Sequence, residues 1–193
     1  MKREPNARGE GDALRHQLVS AASEMLLRPQ AIALPSLRAV ARACNVSPAA
    51  VYLHFDSQLA LIQAVVDAQI ASLGAATSAA VEGSATPVAA FAEAYAVWGL
   101  EHPGAYQLLF ESAERTGIPN HQPGDEGEAI IQAAVELIEP HRPGEAARHT
   151  ALTLWMALHG IVSLRLHKPD LDWGVDLKDQ VAEVTTALLG PRV

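Results

Sequence analysis

The stretch SLRAVARACNVSPAAVYLHF, residues 36–55, decides how the rest of the chain is read. Ser36 is a helix N-cap, and Leu37, Val40 and Ala41 recur at the spacing of one inward helix face, so the pattern predicts a short helix to about Ala43. Cys44-Asn45-Val46 follows as a tight turn. Asn at its centre is one of the few residues besides Gly that tolerates the left-handed region. Ser47 then caps a second short helix with Pro48 at its first position. That helix carries Ala49, Ala50, Val51 and Tyr52 and ends near Phe55. Two short helices on a three-residue turn have the form of a helix-turn-helix, although ordinary helical hairpins share that shape.

Upstream, Leu14, Leu18, Ala21, Ala22 and Met25 predict a packing helix from about Ala13 to Leu27, ended by Pro29. Residues 1–12 mix Gly, Pro and charge without periodicity and read as an arm. Downstream, Asp56 or Ser57 caps a long helix whose stripe is Leu59, Ile62, Val66, Ile70 and Leu73. Further helices are expected with Val88, Phe91, Tyr95 and Trp98 on one face, then with Tyr106, Leu109, Phe110 and Ala113. The series ends with helices at about 126–139, 145–167 and 177–189. Residues 115–125 read as a loop. With no strand pattern and no repeat, the expectation is an all-α protein. It divides into an arm and helix-turn-helix domain over residues 1–60 and a helical-bundle sensing and dimerisation domain over 61–193.

Composition narrows the class. Of 193 residues, 49% are hydrophobic and 19% charged, the balance of a folded rather than a disordered chain. No uninterrupted apolar run reaches the ~18–20 residues of a membrane span, so no membrane partner is expected. The first residues lack the apolar core of a secretory signal. Cys44 is the single cysteine, which excludes an internal disulfide and any CxxC site, and a reducing cytoplasm is the simplest home. The net charge of -8 is unevenly spread. Residues 1–60 hold seven basic and five acidic groups, a balance of +2, which leaves -10 on the remainder. A mildly basic head on an acidic body is compatible with local phosphate contact and disfavours indiscriminate binding elsewhere.

The residue sizes of the second short helix suit a duplex groove. Ala49 and Ala50, behind Pro48, leave room for its backbone to sit deep. Ser47 and the helix start offer donors to phosphate, Tyr52 and His54 are polar aromatics that reach backbone oxygens, and Arg38 reaches a base edge or a phosphate. The run Leu37 to Phe55, followed by Leu59 and Leu61, resembles the DNA-binding domain of the TetR family over about residues 13–60, most specifically in its Tyr-x-His-Phe segment. The resemblance implies that Arg38, Ser47, Ala49, Ala50, Tyr52 and His54 contact double-stranded operator DNA. It also exposes a departure: members usually carry a phosphate-binding Lys where this chain has Gln58.

Most aromatics fall in the body. Phe91, Tyr95, Trp98, Tyr106, Phe110, Trp155 and Trp173 could wall an apolar pocket, while plain core packing is the more frequent explanation for any single one. Trp155 and His159 stand four residues apart and share a helix face. Gly160 beside them costs about 1 kcal/mol relative to Ala in a helix interior, which close approach by a helix or ligand would explain. The segment Leu154 to Val162 resembles the Trp…His-Gly segment of the TetR-family C-terminal domain type called WHG. The candidate ligand set is therefore Phe91, Tyr95, Trp98, Tyr106, Phe110, Trp155 and His159, for a small apolar or amphipathic effector. Residues 151–166 are apolar around most of the helix, and Leu177, Val181, Val184 and Leu188 form a stripe on the last one. These are expected to pair with a second copy through Leu158, Val162, Leu166, Leu177, Val181, Val184 and Leu188 in a four-helix interface, with burial inside one chain as the competing reading.

The function expected is a ligand-responsive DNA-binding regulator, chiefly a repressor, with two heads held about 34–36 Å apart on a palindromic operator. A body that binds a protein partner or organises DNA without a small ligand is the alternative. A helical-bundle enzyme is disfavoured: no Glu has a His three residues on, and HExxH, GxSxG and P-loop motifs are absent, so no catalytic residue, metal or cofactor is assigned. Gln58→Lys is expected to bind duplex DNA more tightly at low salt and to steepen the salt dependence, which anisotropy titrations over a salt series would measure.

Overall fold

A computed structural model describes residues 10–26, 34–110 and 126–190. Among them are nine α-helices and no strand. They are α1 (Glu10–Leu26), α2 (Leu37–Ala43), α3 (Pro48–Tyr52), α4 (Gln58–Val81), α5 (Pro87–Glu101), α6 (Pro103–Phe110), α7 (Glu126–Ile138), α8 (Glu145–His167) and α9 (Leu177–Leu189). The expected arm up to residue 9, the stop at Pro29, Ala113 and the 115–125 loop lie outside the described residues.

The helix starts follow from the serines. Ser36, Ser47 and Ser57 each accept a hydrogen bond from the backbone N–H three residues on, at Ala39, Ala50 and Ala60, over 3.1–3.2 Å. Asp176 does the same for Asp179 at the head of α9, over 2.8 Å. Each such cap contributes on the order of 1 kcal/mol. Between α2 and α3 the chain reverses on Asn45 at φ 54°. The Asn45 N–H donates to the Arg42 carbonyl and the Val46 N–H to the Ala41 carbonyl. This pair of bonds satisfies the end of α2 with the left-handed residue just past it.

Two apolar cores organise the molecule. Leu18 and Ala22 of α1, Val40 and Ala41 of α2, Val51 of α3, Phe55, and Leu61, Ile62, Val65 and Ile70 of α4 fill the head. Leu73, Phe91, Tyr95, Tyr106, Ile138, Leu154, Leu158 and Val162 fill the body. Residue 60 is therefore not where the head's core stops, because α4 supplies that core as far as Ile70. The expected α4 stripe is correct at Ile62, Val66, Ile70 and Leu73 but not at Leu59, which is 46% exposed. By length and composition α4 is also long and apolar enough to cross a membrane, a property the broken run of its residues hides. Its contacts with α1, α5, α6 and α7 account for that apolarity as core packing.

α5 and α8 cross closely because Gly99 lies between them. A Cβ there would stand 2.7 Å from Val162 Cγ1 and 2.9 Å from Tyr106 Cδ2, tighter than packed atoms allow. Gly160 is the opposite case, with nothing among the described residues within 4 Å of such a carbon, so they do not supply the expected close neighbour. Gly99→Ala is expected to destabilise the fold by about 1–3 kcal/mol through overpacking, lowering Tm by several degrees. Combined with Val162→Ala, the loss should be less than additive in a thermal double-mutant cycle.

Candidate DNA-reading face and sensor cluster

α3 is pinned from behind and open in front. Val51 is fully buried against the head core and Phe55 nearly so, with the Arg15 guanidinium 5.2 Å above the Phe55 ring. On the other side Ser47, Pro48, Ala49 and Tyr52 are exposed, Ala50 is half-buried, and Arg38 of α2 is exposed. His54 is half-buried beside Gly11 at the start of α1. The structure thus brings the sequence-derived DNA residues to one end of the head, with their outer surface uncovered by the described residues.

Gln58 behaves differently from the expectation. Its amide donates to the Leu34 and Pro35 carbonyls, at 3.1 and 3.2 Å, tying the start of α4 to the strand-free segment before α2. These bonds occupy the NH2 group that a phosphate would need, so its role in the structure is to fasten the head. Leu53, which the sequence reading passed over, is 85% exposed beside Tyr52, which is 55% exposed. The signal for it was available: Val51 and Phe55 face inward, which turns the residue between Tyr52 and His54 outward.

In the body, five of the seven proposed ligand residues form one cluster. Tyr106 packs on Phe110 at 4.8 Å between centroids and stacks on His159 at 5.6 Å. Tyr95 stands edge-on to Tyr106, and Phe110 also meets Trp155 and His159. A line of hydrogen bonds runs through it. Trp155 Nε1 donates to the Tyr95 hydroxyl (3.1 Å), which lies 3.4 Å from the Tyr106 hydroxyl, and that hydroxyl is 2.7 Å from His159 Nδ1. With Trp155 able only to donate, a consistent polarity runs Trp155 to Tyr95 to Tyr106 to an unprotonated Nδ1.

The other two ligand candidates lie elsewhere. Trp98 turns away, donating from Nε1 to Ser72 Oγ of α4 at 3.1 Å and stacking on His102. Phe91 is buried in the body core. Trp173 lies under the Arg165 guanidinium, whose hydrogen bonds to Gln180 and the Val175 carbonyl fasten α8 to α9. Spacing alone leaves Trp98 on the face of Tyr95, and it is the bond to Ser72 that takes its ring to α4.

The proposed interface residues also divide. Leu158, Val162 and Val181 are buried in the chain's own core, so they are not free to meet a second copy. Leu166, Leu177, Val184 and Leu188 are partly buried against that core. The outward apolar residues of α8 are Met156 and Leu164, 59% and 53% exposed, with Gly160 midway between them. Four-residue spacing puts the three on one face. Among the described residues no group of three or more His, Cys, Asp or Glu is placed to hold a metal ion.

An all-helical chain with an uncovered helix-turn-helix and a separate aromatic body is built as a DNA-binding transcription regulator. Comparison places it more narrowly. A family described as tetracyclin repressor-like, C-terminal domain, matches residues 88–189, and one described as bacterial regulatory proteins, tetR family, matches residues 20–65. The chain belongs to the TetR family of transcriptional regulators, a family of regulators rather than enzymes. A solved protein of unknown function from Rhodococcus sp. RHA1 is 27% identical at a TM-score of 0.75, with 97% of each chain covered. A TetR-family transcriptional regulator from Pectobacterium atrosepticum shares the fold at 17% identity and a TM-score of 0.67, covering 95% of this chain and 94% of its own. NalD of Pseudomonas aeruginosa, described as the secondary repressor of the MexAB-OprM multidrug efflux pump, shares it at 18% identity and a TM-score of 0.57, covering 94% and 96%. No curated protein matches the chain.

Burial pushes the Tyr95 hydroxyl up to about 12, against the smaller opposing effect of its bonds to Tyr106 and Trp155. Below pH 10 both folded and unfolded chains keep this proton, and the buried phenol contributes its full stability. As pH rises from about 10 to 12 the unfolded chain releases the proton first, so stability falls by about 2–3 kcal/mol at the upper end. Tyr95→Phe should flatten that part of a Tm-against-pH curve relative to the unaltered protein.

Proposed function

We propose that the chain is a dimeric repressor that two heads hold on a palindromic operator and that a small, largely apolar effector releases. The observation that carries this reading is the position of α6. Tyr106 of α6 lies in the body's aromatic cluster, whereas Leu108, two residues on, is buried in the head core against α1 and α4. A ligand seated against Tyr106, Phe110, Trp155 and His159 would displace α6, and Leu108 would carry the displacement to the head. Ligand and operator then compete through the geometry of one helix, with reciprocal effects on each other's affinity.

The effector class follows from the cluster. Its surface is mostly ring carbon, which suits an apolar body, and the Tyr95–Tyr106–His159 line offers hydrogen-bonding partners for one polar end. The dimer is proposed on α8 and α9, with Met156, Gly160 and Leu164 at its centre and Leu166, Leu177, Val184 and Leu188 beneath it. A face with two half-exposed large apolar side chains and an unfilled glycine accepts a second helix without a clash. Two heads, each with Arg38 and α3 outward, would then read the two halves of one site.

Operator fragments selected from genomic DNA, titrated by anisotropy with and without apolar ligands, test the whole proposal. Release of DNA by at least one ligand class is expected, and Arg38→Ala should weaken operator binding about 5–100-fold. Leu108→Ala should keep ligand binding while reducing the ligand's effect on DNA affinity. Light scattering that shows a monomer at micromolar concentration would overturn the dimer.

A further inference from the structure

We infer that this protein reads its operator half-sites through thymine methyl groups, with Leu53 as the side chain that senses one of them. The inference rests on the DNA-binding reading of α3 and specifies what that helix recognises.

Between Val46 and Phe55 the chain contains no Arg, Lys, Asn, Gln, Asp or Glu. The side chains that pair bidentately with guanine or adenine, or accept from cytosine, are therefore missing from the recognition helix and its flanks. The polar groups that remain are Ser47, Tyr52 and His54, of which Tyr52 is exposed. Ser47 Oγ accepts from the Ala50 N–H as the helix cap, and the His54 ring is half-buried beside Gly11. What the helix turns outward is Pro48, Ala49, the Tyr52 ring and Leu53. Pro48, Ala49, Tyr52 and Leu53 fall at i, i+1, i+4 and i+5, a single helix face.

That face is apolar. Leu53, the C-cap of α3, is the most exposed large hydrophobic residue described and belongs to neither core. The one apolar feature the major groove displays is the C5-methyl of thymine. A face whose one outward hydrogen-bonding group besides the capping Ser47 is the Tyr52 hydroxyl discriminates a T·A pair from C·G mainly by covering that methyl. Arg38 on α2 supplies a charged contact beside it, so methyl contact adds to the phosphate and purine contacts of the neighbouring helix without replacing them.

The test uses the full chain and deoxyuridine. Duplexes are first selected from a random library, and T·A pairs are expected in each half-site at the positions facing α3. Each thymine is then replaced singly by deoxyuridine, which removes the methyl and leaves every base-pairing and groove hydrogen-bonding group in place. One buried methyl should be worth about fourfold in affinity, and symmetric replacement in both half-sites about tenfold or more. Leu53→Ala should abolish the penalty at one position of the half-site. Arg38→Ala should weaken binding to both duplexes and leave the penalty intact. Equal binding of thymine and deoxyuridine duplexes, an undiminished penalty in Leu53→Ala, or selection of G·C pairs opposite α3 would each overturn the inference while leaving operator binding in place. Recovery of no bound duplex at all would overturn the DNA-binding reading beneath it.

Discussion

Tyr106 and Leu108 are two residues apart on α6 and are buried in different cores. Because packed side chains sit near crystal-like density, neither core yields to a shift of α6 without repacking. α4 imposes the same condition along its length, giving Leu61, Ile62 and Val65 to the head and Leu73 to the body. The head is thus seated on the body through two shared helices.

The body's side of this constraint is unusually polar for a core. Trp155, Tyr95, Tyr106 and His159 are joined by hydrogen bonds, and among the described residues no buried side-chain nitrogen or oxygen lacks a partner. A satisfied network of this kind defines one arrangement of the rings, since each alternative leaves a donor or acceptor stranded at a cost of about 1–3 kcal/mol. Gly99 supports the same arrangement by letting α5 approach Val162 and Tyr106. On the head's side, burial of Val51 and Phe55 fixes which face of α3 points away from the molecule.

Much of this was legible in residue order. Ser36, Ser47 and Ser57 mark helix starts because a side-chain oxygen satisfies a donor that the helix itself cannot. Asn45 marks the turn because few residues accept its φ. The boundaries of α8 and α9 follow from the proline and glycine breaks around them. The joining of Tyr95, Tyr106, Phe110, Trp155 and His159 was visible as aromatic density on helices expected to face one another, and the family resemblance pointed to the same segment. Other assignments failed for a common reason. Trp98 and Trp173 look the same in sequence as the cluster's rings, and Leu158, Val162 and Val181 look the same as interface residues. Only the direction each side chain takes in space separates them.

Residue order alone specified most of the helices, the turn between α2 and α3, and membership in an all-helical regulator class. These depend on local rules: caps, breakers and the 3.6-residue period act within a few positions of one another. Only packing in three dimensions made Gln58 fasten the head, put Leu158 and Val162 in the chain's own core, and set α6 across two cores. Those outcomes depend on which helix packs against which and at what rotation. That information resides in contacts between residues far apart in the chain, such as Gly99 with Val162.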